Sequence, residues 1–323
     1  MKNLLKYPYY TIKCAICLIS MLWLLTACSK EKLEVDPNLN KPLYDIPAGG
    51  PPGSLAAFMR EFYDRYATIV RFDFPEREIR TTWTGRWHSW YAPARAGSEP
   101  YAAALLSFLL ENFYGLFEDE FVQRNLPYKI FFVDSLRSGV LETSGLINVA
   151  SRQNALILSH AGPQQAEFTD SIWERIRFDV QEMFIRDLYD GAPSRPIAFI
   201  LLRSRPEFGI FPDIGLEDPL GEYTSFKYRA LRDGFVRGWL PNPAAPATGI
   251  APGHLQDFAD FTLLLIGEPA TEITNLFTRF SLLRQRALLL VPFLQNVIGL
   301  DVIATQNNNH PNDPLPPNFF QQW

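Results

Sequence analysis

Val180-Gln181-Glu182-Met183-Phe184-Ile185-Arg186-Asp187-Leu188 is the centre of a long helical pattern. Apolar residues recur about one turn apart at Ile172, Ile176, Val180, Met183 and Leu188, which predicts a buried face on a helix from Thr169 or Asp170 to about Asp190. Gly191 is the expected stop, because glycine accepts the left-handed conformation that ends many helices.

Immediately upstream the period changes. Lys129–Ser135, Leu146–Val149 and Ala155–Ser159 read as strands, and only the polar residues 150–154 separate the last two, so a hairpin or neighbouring antiparallel strands are expected there. Further out, Ser54 can cap a helix to about Tyr66 with Leu55, Phe58, Phe62 and Tyr66 on one stripe. Residues 67–74 read as a strand stopped by Pro75. Trp83, Trp87, Trp90 and Tyr91 lie in an irregular aromatic segment, and Ser98 with Glu99-Pro100 starts a helix reaching about Phe117. Glu118-Asp119-Glu120 reads as a solvated helix end.

Downstream, residues 192–227 are loop-rich and 240–253 are irregular. Helices are expected at about His254–Ile266, Ala270–Leu290 and Val291–Ile298. The Asn- and Pro-rich residues 305–323 predict a poorly packed polar tail. These elements give one α+β domain over residues 54–304, a small sheet with flanking helices and a helical C-terminal half.

The N-terminus speaks to location. Lys2, Lys6 and Lys13 precede an uncharged apolar run over residues 14–27, and Leu25-Thr26-Ala27-Cys28 closes it. That is the layout of a bacterial lipoprotein signal, cut before Cys28 and lipidated there. The run is shorter than a membrane-spanning helix requires. Residues 28–53, ending in Pro47-Ala48-Gly49-Gly50-Pro51-Pro52-Gly53, read as a flexible tether. Ser29 is not an acidic retention signal, and Lys30-Glu31-Lys32 weakly resembles a surface-export signal. A lipid anchor in the outer membrane, on the cell surface, is the expectation.

Loss of residues 1–27 leaves about 296 of the 323 residues, enough for one large or two small domains. It also removes three lysines and no acid, so the formal charge moves from −5 to about −8. An acidic chain without basic clusters does not point to nucleic acid. Cys14 and Cys17 leave with the signal and Cys28 carries lipid, so no cysteine remains for a disulfide or a thiolate metal site. Stability must come from the core, which the 47% apolar content can supply.

Chemistry is harder to place. His88, His160, His254 and His310 are scattered too widely to share a helix turn, and each reads as a surface or hydrogen-bonded residue. There is no phosphate-binding glycine loop and no Gly-x-Ser-x-Gly elbow. With 35 acids in the chain, no single carboxylate pair stands out as a glycosidase dyad. In an HExxH helix two histidines one turn apart hold zinc and the adjacent Glu is the general base. Aligned on Glu182, this chain has Gln181 and Ile185 at the histidine positions. Arg232-Asp233-Gly234-Phe235-Val236 follows, then a Pro/Gly-rich loop, then Gln256-Asp257-Phe258-Ala259-Asp260 opening a helix.

That ordered set, over most of residues 54–302, resembles a family of lipoproteins described as zinc-binding metallopeptidase candidates. They occur beside starch-utilisation-type (SusC/SusD-like) outer-membrane uptake systems. The resemblance implies a zincin-like fold, an HExxH helix, a Gly-Phe-Val segment and a Glu-Asp-Phe-Ala-Glu helix supplying the third ligand. It also implies where this chain departs. Gln181, Ile185 and Gln256 stand at the three ligand positions, a vestigial Glu182 survives, and Asp257 and Asp260 are cleft acids. Hydrocarbon cannot bind zinc and a neutral amide is a poor ligand. The plain alternative is that Gln181 and Gln256 are ordinary polar helix residues.

The leading expectation is therefore a surface lipoprotein with a zincin-like fold, no metal, no cofactor and no peptidase activity. It would be a binding or accessory part of a nutrient-uptake system, with a TonB-dependent transporter or SusD-like complex as partner and a peptide or glycan as ligand. Strand addition within residues 146–159 would take a peptide; Trp83, Trp87, Trp90 and Tyr91 would take sugar rings. One rival is an active hydrolase using Glu182, Asp257 and Asp260 on a peptide or glycan. The other is a structural envelope lipoprotein.

Overall fold

The computed structural model describes residues 46–74, 76–79, 90–93, 98–137, 145–152, 155–203, 210–211, 218–237, 240–242 and 245–323. The expected signal peptide 1–27, Cys28, most of the expected tether, Trp83, Trp87 and His88 lie outside the described residues. Trp90 and Tyr91 are described only in their backbone.

The domain begins as the sequence predicts. Ser54 accepts a hydrogen bond from the Ala57 backbone N–H at 3.2 Å and opens α1, Leu55–Tyr66. Leu55, Phe62 and Tyr66 are buried, and Ala67 ends the helix in the left-handed conformation. Then come β1 (Ile69–Arg71), the short α2 (Glu76–Ile79) and β2 (Trp90–Pro93). In α3 (Glu99–Asn112) Pro100 occupies the first turn, but the Ser98 side chain makes no capping bond. A 3-10 turn at Tyr114–Leu116 ends the expected helix five residues early. Glu118-Asp119-Glu120 belongs to the start of a further helix, α4 (Asp119–Asn125). Acids in that first turn complement the N-terminal end of the helix dipole.

The main sheet contains β3 (Lys129–Arg137), β4 (Val149–Arg152) and β5 (Ala155–Leu158). Its order is β1-β3-β5-β4, with β2 also paired to β3. β1 and β5 run parallel to β3, whereas β4 is antiparallel to β5, with Val149 opposite Leu158 and Ser151 opposite Leu156. An antiparallel pair forms, but its first strand lies at Val149–Arg152 and not at 146–149, so polar residues expected to link the strands belong to β4, which is the sheet edge among the described residues. Ile130, Phe132, Leu156 and Leu158 join the large core, while Phe131, Val133, Ala155 and Ile157 join a second cluster on the other face. Burial on both faces explains why β3 and β5 read as unbroken apolar runs.

α5 (Asp170–Gly191) is one continuous helix. Ile176, Val180, Phe184, Ile185, Leu188 and Tyr189 are its buried residues, while Ile172 is exposed and Met183 only partly buried. The apolar stripe is thus shifted towards Phe184 and Ile185. Phe184 meets Phe113 at 5.5 Å and Phe117 at 5.8 Å between ring centres, edge to face. Gly191 remains helical, and Ala192 after it has φ of −65°, so no left-handed cap forms.

β6 (Ile210–Phe211) lies between α6 (Ile197–Leu201) and α7 (Ser225–Arg232), and the segment at 240–253, expected to be irregular, supplies the two other strands of a second small sheet. The sheet orders β6, β8 (Ala245–Ile250) and β7 (Leu240–Asn242). Then follow α8 (His254–Gly267), α9 (Ala270–Arg279), α10 (Ser281–Phe293), a π-helical turn at Leu294–Ile298 and α11 (Val302–Asn309). The break between α9 and α10 divides the helix predicted over 270–290.

Residues 305–323 are not a loose tail. Thr305, Gln306, Leu315 and Phe319 are buried. Asn309 Nδ2 donates to the Ile266 carbonyl at 3.0 Å, Gln306 Nε2 donates to Glu268 O at 3.0 Å, and the His310 ring hydrogen-bonds to Gly267 O at 2.7 Å. The amides that made the segment look solvated satisfy the orphan carbonyls at the end of α8. No single helix among the described residues is long and apolar enough to cross a membrane. The architecture is α+β, a mixed sheet with helices around it and a helical C-terminal half.

Candidate functional site

α5 and α8 pack against each other, bringing part of the predicted constellation together. Gln181, Ile185 and Tyr189 follow one another at one-turn spacing, so they share a side of α5. The Tyr189 ring meets Phe258 of α8 at 4.9 Å. Ile185 is fully buried in the core. Within α8, Gln256 Nε2 donates to Asp260 Oδ1 one turn on, at 2.8 Å. Among the described residues no hydrogen bond joins Gln181 to Gln256.

The link between the two helices is a residue the sequence analysis passed over. Arg237 follows the Gly-Phe-Val segment. Its Nη1 lies 3.1 Å from Glu182 Oε2 and 3.5 Å from Asp260 Oδ1. Its guanidinium carbon stacks 4.1 Å from the centre of the Phe178 ring, one turn before Glu182. Arg186 approaches the other oxygen of Glu182 at 3.5 Å. Asp260 is only 3% exposed, and its Oδ2 has no hydrogen-bond partner. Burial pushes its pKa up to about 7, against the pull of Arg237 and Gln256 and with help from Glu182 and Asp257.

Asp257, expected as a cleft acid, is not in a cleft. It is 1% exposed and held between two guanidiniums, Arg286 from α10 and Arg203. Arg286 is fully buried; it also donates to the Gly234 carbonyl at 2.5 Å and lies against the rings of Phe199, Phe235 and Phe261. Arg203 reaches the Pro252 carbonyl at 2.7 Å and His254 Nδ1 at 3.1 Å. A carboxylate enclosed this way is out of reach of a substrate, so the hydrolase assignment to Asp257 is corrected. Its work is to fasten α8 to α10 and to the loop before α8. The signal for Arg286 was present: it lies between Leu283 and Leu290 on an apolar helix face, where a cation implies a buried partner.

A groove of about 360 Å³ runs between residues 146–149 and α5, lined by Leu146, Ile147, Asn148, Arg175, Asp179 and Glu182 among others. Its walls are tied together. Asn148 Nδ2 donates to Asp179 at 2.7 Å and Ser151 Oγ donates to Asp187 at 2.7 Å. His160 Nε2 lies 2.6 Å from Asn148 Oδ1, and since the Asn148 amide nitrogen is turned to Asp179, the imidazole is the donor. Burial holds His160 neutral, with its pKa lowered to about 4. His254 and His310 are hydrogen-bonded as expected. Residues 146–149, α5 and Glu182 are therefore in one place.

The zinc set implied by the family resemblance does not fit these residues. Ile185 is core hydrocarbon, Gln181 and Gln256 are amides, and the two carboxylates that do converge share a guanidinium. Among the described residues no group of three or more His, Cys, Asp or Glu is placed to hold a metal.

No known family model and no curated protein matches the chain. Among solved structures it is similar to the crystal structure of a candidate zinc-binding metallopeptidase from Bacteroides caccae ATCC 43185. The TM-score is 0.49 and the identity 10%, over 83% of this chain and 93% of that one.

Proposed function

We propose that this chain is a zincin-like binding lipoprotein without peptidase chemistry, and that it captures extended peptides in the groove between residues 146–149, which lead into β4, and α5. The observation that carries the reading is the position of Arg237 between Glu182 and Asp260. A general base in a zinc peptidase works on a metal-bound water whose pKa the ion has lowered. Here Glu182 faces two cations that offer no water for attack. The groove does not depend on that chemistry, because backbone pairing to an edge strand is sequence-tolerant. In this proposal the signal sequence places the protein in the outer membrane, anchored through lipid on Cys28 and facing the cell surface. It acts there as an accessory of a nutrient-uptake system, with a TonB-dependent transporter or SusD-like complex as partner.

Metal analysis of the purified lipoprotein, with peptide binding and hydrolysis measured on the same sample, tests the reading. The expected result is peptide binding with well under one zinc per chain and no cleavage. One zinc per chain with cleavage would overturn it. The anchor is tested separately by labelling with a fatty-acid analogue, where Cys28→Ala should lose all label.

A further inference from the structure

We propose that Arg237 is a resident cation: its guanidinium does what a bound divalent ion would do at the junction of α5 and α8, and its removal uncovers a carboxylate site for a hard divalent ion. One nitrogen serves Glu182 from α5 and Asp260 from α8, at 3.1 and 3.5 Å. The same guanidinium is stacked on Phe178, so three contacts fix it. Two carboxylates from different helices that converge on one positive centre supply oxygen donors of the kind a hard divalent ion takes, with water completing its shell. Gln256 adds a polar neighbour already bonded to Asp260.

A second observation is independent of the acids being close. Asp260 is nearly fully buried, yet its Oδ2 has no partner. A buried carboxylate oxygen left unpaired is costly, and a single guanidinium nitrogen reaching only Oδ1 does not relieve it. A spherical ion that binds both oxygens would. Arg237 is also 43% exposed, so its loss opens the position to solvent and to ions. In the wild type its charge repels any divalent cation, which makes the protein's stability independent of metal.

The inference rests on the zinc-free reading above, but the two fail separately. Cleavage of peptide by the wild type would sink that reading. This one is tested by thermal unfolding of the full lipoprotein with EDTA and with Mn2+ as the probe ion, in wild type, R237A, R237M and R237A/D260N. R237M keeps the stem against Phe178 and guards against simple loss of packing. The wild type should be indifferent to both conditions. R237A and R237M should melt lower in EDTA and recover by about 3–6 °C in millimolar Mn2+. R237A/D260N should not respond, and electron paramagnetic resonance should find one bound Mn2+ only in the single variants. Single variants indifferent to Mn2+, or a double variant that responds equally, would overturn the proposal.

Discussion

Arg286 and Asp257 form an ion pair closed to solvent on both sides, with side-chain exposures of 0% and 1%. The pair is stable because it is over-determined: three aromatic rings, two backbone carbonyls and Arg203 complete the shell. Removing one partner leaves the other buried and uncompensated. Arg286→Met should therefore cost about 3–5 kcal/mol by urea denaturation. Arg286→Lys should fall short of rescue, because one ammonium cannot span Phe199 O, Gly234 O and both carboxylate oxygens. Near-native stability in the Met variant would mean that Arg203 alone satisfies Asp257.

Gly234 is fixed by conformation and by space. Its φ is +84°, and a Cβ there would lie 2.9 Å from Leu282 Cγ and 3.2 Å from Arg286 Cδ. Gly234→Ala should destabilise by about 2 kcal/mol, from the left-handed penalty plus overpacking. An unchanged denaturation midpoint would show that α10 yields freely.

The pH dependence has two opposed parts. His160 stays neutral in the fold down to pH of about 4, whereas the unfolded chain takes up a proton near 6.5. The unfolded state binds more protons in that window, so this stability is lost as pH falls from 6.5 to 4, by up to about 3 kcal/mol. Asp260 has the opposite sign: its folded pKa is raised to about 7, so its contribution is present at pH 4 and lost as pH rises through 7. His160→Asn, which tolerates the observed φ of +78°, should flatten the acid limb. Asp260→Asn should gain relative to wild type as pH rises from 4 to 8. Denaturation curves that stay parallel across pH would refute both.

The groove offers exposed positions that can be changed without touching the core. Leu146 is 59% exposed and the Arg175 side chain 72% exposed. Leu146→Asp and Arg175→Glu should each leave stability within about 0.5 kcal/mol of wild type. Leu146→Asp should weaken capture of a fluorescent extended peptide about tenfold, roughly 1.4 kcal/mol. Normal capture by Leu146→Asp, with binding lost instead in Trp87→Ala or Trp90→Ala, would favour a glycan ligand.

Much of the fold was legible in order along the chain, because each element announces itself through its neighbours. Ser54 caps three residues ahead, β3 and β5 are apolar on consecutive residues, and α5 repeats every turn. The misreadings were local too. Gly191 is a glycine without a left-handed turn, and Asn307–Asn309 reads as solvent-seeking amides although the segment is packed. What these residues bond to lies elsewhere in the sequence, so composition could not reveal it.

The candidate site divides the same way. The sequence alone determined that residues 181, 185 and 256 carry two amides and a hydrocarbon, because side-chain chemistry is a property of the residue. It also determined that Gln181 and Ile185 share a helix side, because a turn is a local repeat. Only the tertiary structure decided that Asp257 is spent on Arg286 and Arg203, and that Arg237 joins Glu182 to Asp260. Ion pairing depends on distance in space, and these partners lie 29, 54, 55 and 23 residues apart, where no periodicity connects them.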